Sequence, residues 1–292
     1  MSVKIITDST SDLPPEPARA LDITVVPAYI IIEGRTYPDG MDISSDELYQ
    51  KITENDISVT TSQPAAGNLA QVYRRLLKEA DELFSIQVTS RLSGVHNSAL
   101  QAREMIGAKG RIEVLDSEST SMGLGLMALA TGRAAKSGGG LAGVLAEALR
   151  TRSGTHLWGM FDTLKYVLKG GRLGRARNII SSIINVKPML TMKAGVINPS
   201  PFARTRVKGI EKLLDNLKNY PNIKGIGIAH STSLEETHSL RSRLSSPIDG
   251  RHVHISRLGA ALEVHGGPGR RGSRAGTRAQ NSYTTVIAPA QT

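Results

Sequence analysis

Two hydroxyl-rich segments and one late histidine carry most of the chemistry in this chain. They are Thr60-Thr61-Ser62-Gln63-Pro64, Ser90-Arg91-Leu92-Ser93-Gly94 and His265-Gly266-Gly267-Pro268-Gly269. Hydroxyls and an imidazole donate hydrogen bonds, and glycines let a ligand or a second backbone approach closely. No obvious nucleophile–base pair stands among them. The set suits holding an anionic head group better than breaking a bond, because a carboxylate accepts several charge-assisted hydrogen bonds at once. Taken singly, each segment also reads as an ordinary capped turn and the histidine as structural. The functional case rests on the set.

The elements that must position these groups alternate strand and helix. Val3 to Thr7 reads as a short buried strand ending at Asp8, followed by the polar loop Asp8-Ser9-Thr10-Ser11-Asp12. Prolines 14 and 15 open a helix. Ile23 to Ile32 reads as one strand region, and Ser44 or Ser45 caps a helix through Tyr49 and Ile52. Thr60 to Pro64 reads as a turn. Helical spacing follows from Gly67 to Glu82. Leu83 to Val88 is a strand running into the Ser90 turn, then come a helix over Asn97–Ile106, a strand over Arg111–Asp116 and a helix over Ser121–Ala135. This order predicts a parallel α/β sheet, whose ligands sit at the carboxyl ends of strands. Asp8, Ser90, Ser93 and Asp116 fall there. A Gly-rich break precedes a helix over Leu141–Thr151, and a domain boundary is expected near Arg152-Ser153-Gly154. The second half holds strand-like pieces at His156–Phe161, Lys187–Thr191 and Lys224–His230, a helix over Val207–Leu217, and a basic turn at Lys169-Gly170-Gly171-Arg172.

Composition narrows the function classes. The chain has 292 residues, 4% aromatics, no cysteine and a formal charge of +10. Absent cysteine rules out disulfides and thiolate chemistry. Few rings argue against single-strand nucleic-acid binding, which uses stacking platforms. Much of the positive surplus sits in one tail segment, Arg270, Arg271, Arg274 and Arg278. No signal-like n-region and h-region open the chain, and its longest apolar run is too short to span a bilayer. The expectation is a cytoplasmic protein without a metal site.

Competing motifs fit less well. Gly123-Leu124-Gly125-Leu126-Met127-Ala128 matches a dinucleotide-binding pattern, but Ser117 to Met122 separate it from the strand it should follow. Close helix–sheet packing accounts for those glycines better. The 169–175 turn lacks a Walker ending. No G-x-S-x-G elbow or H-E-x-x-H element occurs. The Asp8 loop leaves open a second reading, a small-molecule phosphoryl-transfer or nucleotide-binding enzyme.

In this order the segments resemble the DegV family of fatty-acid-binding proteins. The resemblance runs through Ile5 to Pro14, Thr60 to Pro64, Ser90 to Gly94 with Asn97-Ser98-Ala99, and Asp116-Ser117. It continues through Ser121 to Gly125, Leu168 to Leu173, Lys187-Pro188 and His265 to Gly269. It implies two α/β domains, an N-terminal parallel-sheet domain over 1–152 and a C-terminal α/β domain with a mixed sheet over 153–269. A long-chain fatty acid would lie in a buried tunnel between them. It implies a non-enzymatic carrier that presents the acyl carboxylate to a separate fatty-acid kinase for acyl-phosphate formation in phospholipid synthesis. No cofactor or nucleic acid is implied; transient membrane contact is. By position Thr61, Ser93 and His265 match the carboxylate-binding residues, with Ser62 and Gly94 as neighbours, and Arg172 and Arg204 match kinase-docking positions. Ile183-Ile184 and Met189-Leu190 are tunnel-wall candidates for which ordinary core is the better reading. Two departures stand out. His96 replaces a common tyrosine. The apolar strand usual after the histidine element is replaced by the Arg270–Arg278 run, so 270–292 is expected to be a divergent, poorly ordered basic tail.

Overall fold

The computed structural model describes residues 1–41, 47–48, 59–107, 111–173, 186–220, 222–231, 240–244, 252–266 and the strand at 283–289. Its first sheet is parallel, in the order β2-β1-β6-β7. These strands are β1 (Val3–Asp8), β2 (Ile23–Val26), β6 (Glu82–Gln87) and β7 (Arg111–Asp116). Both faces are covered, so apolar residues face both ways. Ile6 and Leu83 pack with α2 (Ala66–Leu76) and α3 (Val95–Ile106), while Ile5 and Phe84 pack with α4 (Ser121–Lys136). A short helix α1 (Pro15–Ala20) joins β1 to β2.

A second, mixed sheet has the order β10-β9-β8-β13-β11-β12. It contains β8 (Thr155–Phe161), β9 (Lys187–Lys193), β10 (Val196–Ala203), β11 (Gly225–His230), β12 (His252–Arg257) and β13 (Tyr283–Pro289). Further helices are α5 (Gly140–Gly154), α6 (Lys165–Lys169), α7 (Arg206–Lys218) and α8 (Ala260–Gly266). The α/β class with a parallel sheet and a mixed sheet is therefore as expected.

Helix α4 lies between the two sheets, against β1 on one side and β11 on the other. Residues 121–132 are buried without interruption, the pattern of a helix with no solvent face. This is why Gly123 and Gly125 are there. A Cβ on Gly125 would stand 2.6 Å from the Ser11 carbonyl oxygen. The glycines serve close packing, as the sequence reading favoured.

Two expectations about strands are corrected. Ile23–Ile32 is two strands in two sheets. Pro27 lacks the N–H a continuous ladder needs, so the chain leaves β2 and re-pairs as β3 (Tyr29–Ile32). The third sheet is antiparallel, β4-β3-β5, with β4 (Arg35–Pro38) and β5 (Val59–Ser62). The Glu33-Gly34 turn between β3 and β4 has positive φ at both residues, +48° and +79°, as a two-residue hairpin requires. Residues 60–62, read as a turn, belong to β5. The helix expected from Ser44 to Ile52 lies outside the described residues except Glu47 and Leu48.

The tail expectation also changes for seven residues. Tyr283–Pro289 forms β13, antiparallel to β8 and to β11. The Thr284-Thr285-Val286-Ile287 run has the β-branched composition of a strand, and it lies beyond the arginine run. Backbone amides of 284–288 are expected to exchange slowly with deuterium, as interior strands do. Exchange as fast as an unfolded peptide would contradict this placement.

Candidate functional site

Thr61 sits in β5 opposite Ile30, a fully buried residue of β3, which fixes its face. His265 lies near the end of α8. Its Nε2 is 2.7 Å from Thr61 Oγ1, a contact between residues 204 positions apart. Nδ1 of the same ring is buried with no partner. A proton on Nδ1 would be a buried unpaired donor, so the neutral ring carries its proton on Nε2. Nε2–H then donates to Thr61 Oγ1, and the Thr61 hydroxyl keeps its own proton for a ligand. Burial pushes His265 down to about 4, and the Arg172 charge adds to that.

Ser93 belongs to the turn after β6. That turn is closed by the Leu92 and Ser93 amides, which both donate to the Thr89 carbonyl oxygen at 3.1 and 3.2 Å. Ser93 Oγ accepts from the Val95 amide at 3.4 Å, leaving the hydroxyl proton free to point elsewhere. Gly94 precedes α3. A Cβ there would stand 2.8 Å from Gln63 Nε2, so its bare backbone lets the chain beyond β5 close against the Ser93 turn.

A cavity of about 400 Å³ joins these groups. Thr61, Ser62, Ser93, Gly94 and His265 all line it, and so does Arg172. Its greasy part is formed by Val88, Leu92, Phe161, Val167, Ile197 and Leu262. No aspartate or glutamate is among the described lining residues. The arrangement offers hydroxyl donors and a neutral imidazole at one place, two arginines (Arg91 and Arg172) nearby, and apolar walls. Chemically it fits an amphiphile with a single anionic end, since most of a buried ligand's area meets apolar side chains while few polar groups set orientation.

Arg204 is apart from this cavity. It is exposed, between β10 and α7. Met189 and Leu190 are buried in the two hydrophobic clusters and do not line the cavity, as ordinary core would have it. Ile183 and Ile184 lie outside the described residues. Thr10 and Thr120 line the cavity without having been singled out; their hydroxyl-rich surroundings at strand ends were the available signal. Among the described residues no cluster of His, Asp or Glu is arranged to hold a metal ion, and no helix is long and apolar enough to cross a membrane.

Gly170 is a further residue that local sequence could not mark. A Cβ on it would fall far inside van der Waals contact of His265 Nδ1. The glycine backbone is thus the wall behind the imidazole, and Arg172 Nη1 donates to the Gly170 carbonyl. Gly170→Ala is expected to expel the ring from its pocket and destabilise the protein by about 1–3 kcal/mol, the range for overpacking. The His265 titration, followed by NMR, should rise from about 4 toward 6.5. An unchanged titration would contradict the packing.

Fold and cavity together define a class: an α/β protein with a largely apolar cavity capped by hydroxyls and an imidazole. The chain belongs to the DegV family. The family described as "Uncharacterised protein, DegV family" matches residues 2–273. A DegV domain-containing protein of Caldanaerobacter subterraneus subsp. tengcongensis is 33% identical over 269 residues, 91% of this chain and 95% of its own length. A DegV family protein from Thermus thermophilus, described for its fatty acid binding, superposes with a TM-score of 0.88 at 31% identity, covering 99% of this chain and 100% of its own. The Bacillus subtilis DegV, described as a fatty acid binding protein, gives 0.85 at 26% identity, covering 99% of both chains.

Proposed function

We propose that this protein binds a long-chain fatty acid in the cavity, between an N-terminal unit over 1–152 and a C-terminal unit over 153–269. The acyl carboxylate accepts hydrogen bonds from Thr61 and Ser93, with His265 ordering Thr61 and with Ser62 and Gly94 beside it. The hydrocarbon follows the apolar wall. The observation that carries this reading is the Thr61–His265 hydrogen bond at the polar side of a greasy cavity with no acidic residue among the described lining residues. Support comes also from the fatty acid binding for which the Thermus and Bacillus relatives are described.

Burial of each CH₂ contributes about 0.8 kcal/mol, so a sixteen-carbon chain contributes on the order of 10 kcal/mol before ordering costs. The head group then sets orientation. In this reading the protein is a carrier, not the catalyst. It works in the cytoplasm, meets membranes transiently, and offers the carboxylate to a separate fatty-acid kinase. That kinase forms the acyl phosphate used in phospholipid synthesis. Arg172 beside the head group and exposed Arg204 are the docking candidates.

Native mass spectrometry of the purified protein tests the binding step. A mass increment equal to a long-chain fatty acid, lost on delipidation and regained with palmitate, is the expected result. Protein that carries no lipid and takes up none would overturn the reading. For the kinase step, ATP-dependent acyl-phosphate formation by a reconstituted fatty-acid kinase should require this protein.

A further inference from the structure

Among the five residues of the loop Asp8–Asp12, only Thr10 lines the cavity. The loop is nonetheless buried: Asp8, Thr10, Ser11 and Asp12 are all at least nine-tenths covered. Buried carboxyls and hydroxyls are costly unless every group is bonded. Ser11 Oγ has no partner among the described residues, but the bonds of Asp8, Ser9 and Asp12 run outward, to the bases of the three elements that carry the head-group residues.

One arm leads to Ser93. Asp8 caps the single 3₁₀ turn Ser9–Ser11 through the Thr10 amide, and its other oxygen accepts the Val88 amide at 2.8 Å. Val88 directly follows β6, the strand from which the Ser93 turn springs. A second arm leads to Thr61. Ser9 Oγ accepts the Ala28 amide at 3.0 Å and donates to Asp39 Oδ2 at 2.7 Å, while the Asp39 amide donates to the Ala28 carbonyl at 2.9 Å. These bonds clamp the two ends of the β3–β4 hairpin, and β3 holds β5 with Thr61. The third arm leads to His265. Asp12 Oδ1 accepts the Gly259 amide at 2.8 Å, and Asp39 Oδ1 accepts the Ala261 amide at 3.3 Å. Gly259 precedes α8 and Ala261 lies in its first turn; the same helix carries His265. Asp12 is also bonded to Ser121, and Gly125 of α4 packs bare backbone against the Ser11 carbonyl.

We infer that the Asp8–Asp12 loop is the positioning element of the head-group site: through Val88, through Ala28 with Asp39, and through Gly259 it sets where Ser93, Thr61 and His265 stand relative to one another. None of its carboxylates touches the ligand. Their part is to make the protein prefer an acid over its neutral ester, by holding the two donors Thr61 and Ser93, and the imidazole that orders Thr61, in one register. The inference rests on the proposed fatty-acid site.

The test compares wild type with Asp12→Ala, Asp12→Asn and Ser9→Ala in the full chain at pH 7, using palmitate and methyl palmitate as probes. Asp12→Ala frees the start of α8 and should lower the preference for acid over ester about tenfold, the worth of one charge-assisted hydrogen bond. The His265 imidazole resonances should shift with it. Asp12→Asn keeps an acceptor for Gly259 and a partner for Ser121, and should restore the preference to within about twofold. Equal losses for acid and ester, or no rescue by asparagine, would overturn the inference. If Asp12→Ala does not fold, Ser9→Ala decides by the same readouts. A wild-type protein with no preference for palmitate over its ester would count against the fatty-acid reading itself. A wild-type preference that both alanine variants keep would count against the positioning role alone.

Discussion

Replacing Thr61 and Ser93 together by alanine is expected to weaken palmitate binding by about 100-fold or more. A hydrogen bond to a charged group contributes about 1.5–3 kcal/mol, so two contribute about 3–6 kcal/mol. The neutral bonds to methyl palmitate are worth roughly half as much each, so its loss should be about the square root of the palmitate loss, about tenfold where palmitate loses about 100-fold. That difference separates loss of a head-group grip from collapse of the cavity, which would penalise both ligands alike. Thr61 has the larger share, because its loss also leaves Nε2 of His265 without its partner in a buried place. Titration of both variants and both ligands by calorimetry or fluorescence displacement measures the effect. Equal losses, or affinity unchanged for palmitate, would remove these residues from the head-group role.

The second large effect is on stability against pH. Burial, opposed by the bonds from Ser121 and Gly259, pushes Asp12 up from 3.8 to about 8. The folded protein therefore keeps a proton that the unfolded chain gives up above 3.8. Stability from this group is full below 3.8 and is lost as pH rises through about 8. His265 acts in the opposite sense. Its folded value of about 4 lies below the ordinary 6.5, so its contribution is present above 6.5 and lost as pH falls through 4. Between 4 and 6.5 the two slopes oppose each other. From 6.5 to 8 Asp12 acts without His265, at about 1.4 kcal/mol per pH unit, so the wild type should lose about 2 kcal/mol relative to Asp12→Asn over that span. Asp8 and Asp39 are raised as well, chiefly by burial, and are present in both proteins. Urea midpoints of wild type and Asp12→Asn at pH 6.5 and 8 check this. Parallel pH profiles for the two proteins would show that Asp12 does not hold a proton in the native state.

The frame of the fold was legible where period and burial agree. Arg111–Asp116 is a strand with the expected bounds, and the central helix begins at Ser121 as expected. Elements ordered by distant partners were harder to see. Helix α8 is short and begins with amides held by Asp12 and Asp39, more than two hundred residues upstream, so nothing local marks Ala260–Gly266 as a helix. Strand β10 carries Pro199 and Pro201 and a mostly unburied pattern, which only an edge position tolerates. Strand β5 is four residues long and has β3 as its only strand partner among the described residues.

The site divides in the same way. Thr61, Ser93 and His265 stood out by side-chain chemistry and by likeness to a family, and the fold brings all three to one cavity. Gly170 behind the imidazole and the Asp8–Asp12 loop beneath the donors stood out only as part of a basic turn and as a possible phosphoryl-transfer loop, because their positioning roles are spatial. A glycine matters at 170 because an imidazole from residue 265 lies where its side chain would be. Arg172, expected at a docking surface, proves also to line the cavity and to bias the His265 charge.

The most direct measurement is a crystal structure of the protein with palmitate bound. The account predicts the carboxylate within hydrogen-bonding distance of Thr61 Oγ1 and Ser93 Oγ, with the chain running past Phe161 and Val167. A palmitate whose acid end lies elsewhere, or a cavity that stays empty under saturating ligand, would contradict it.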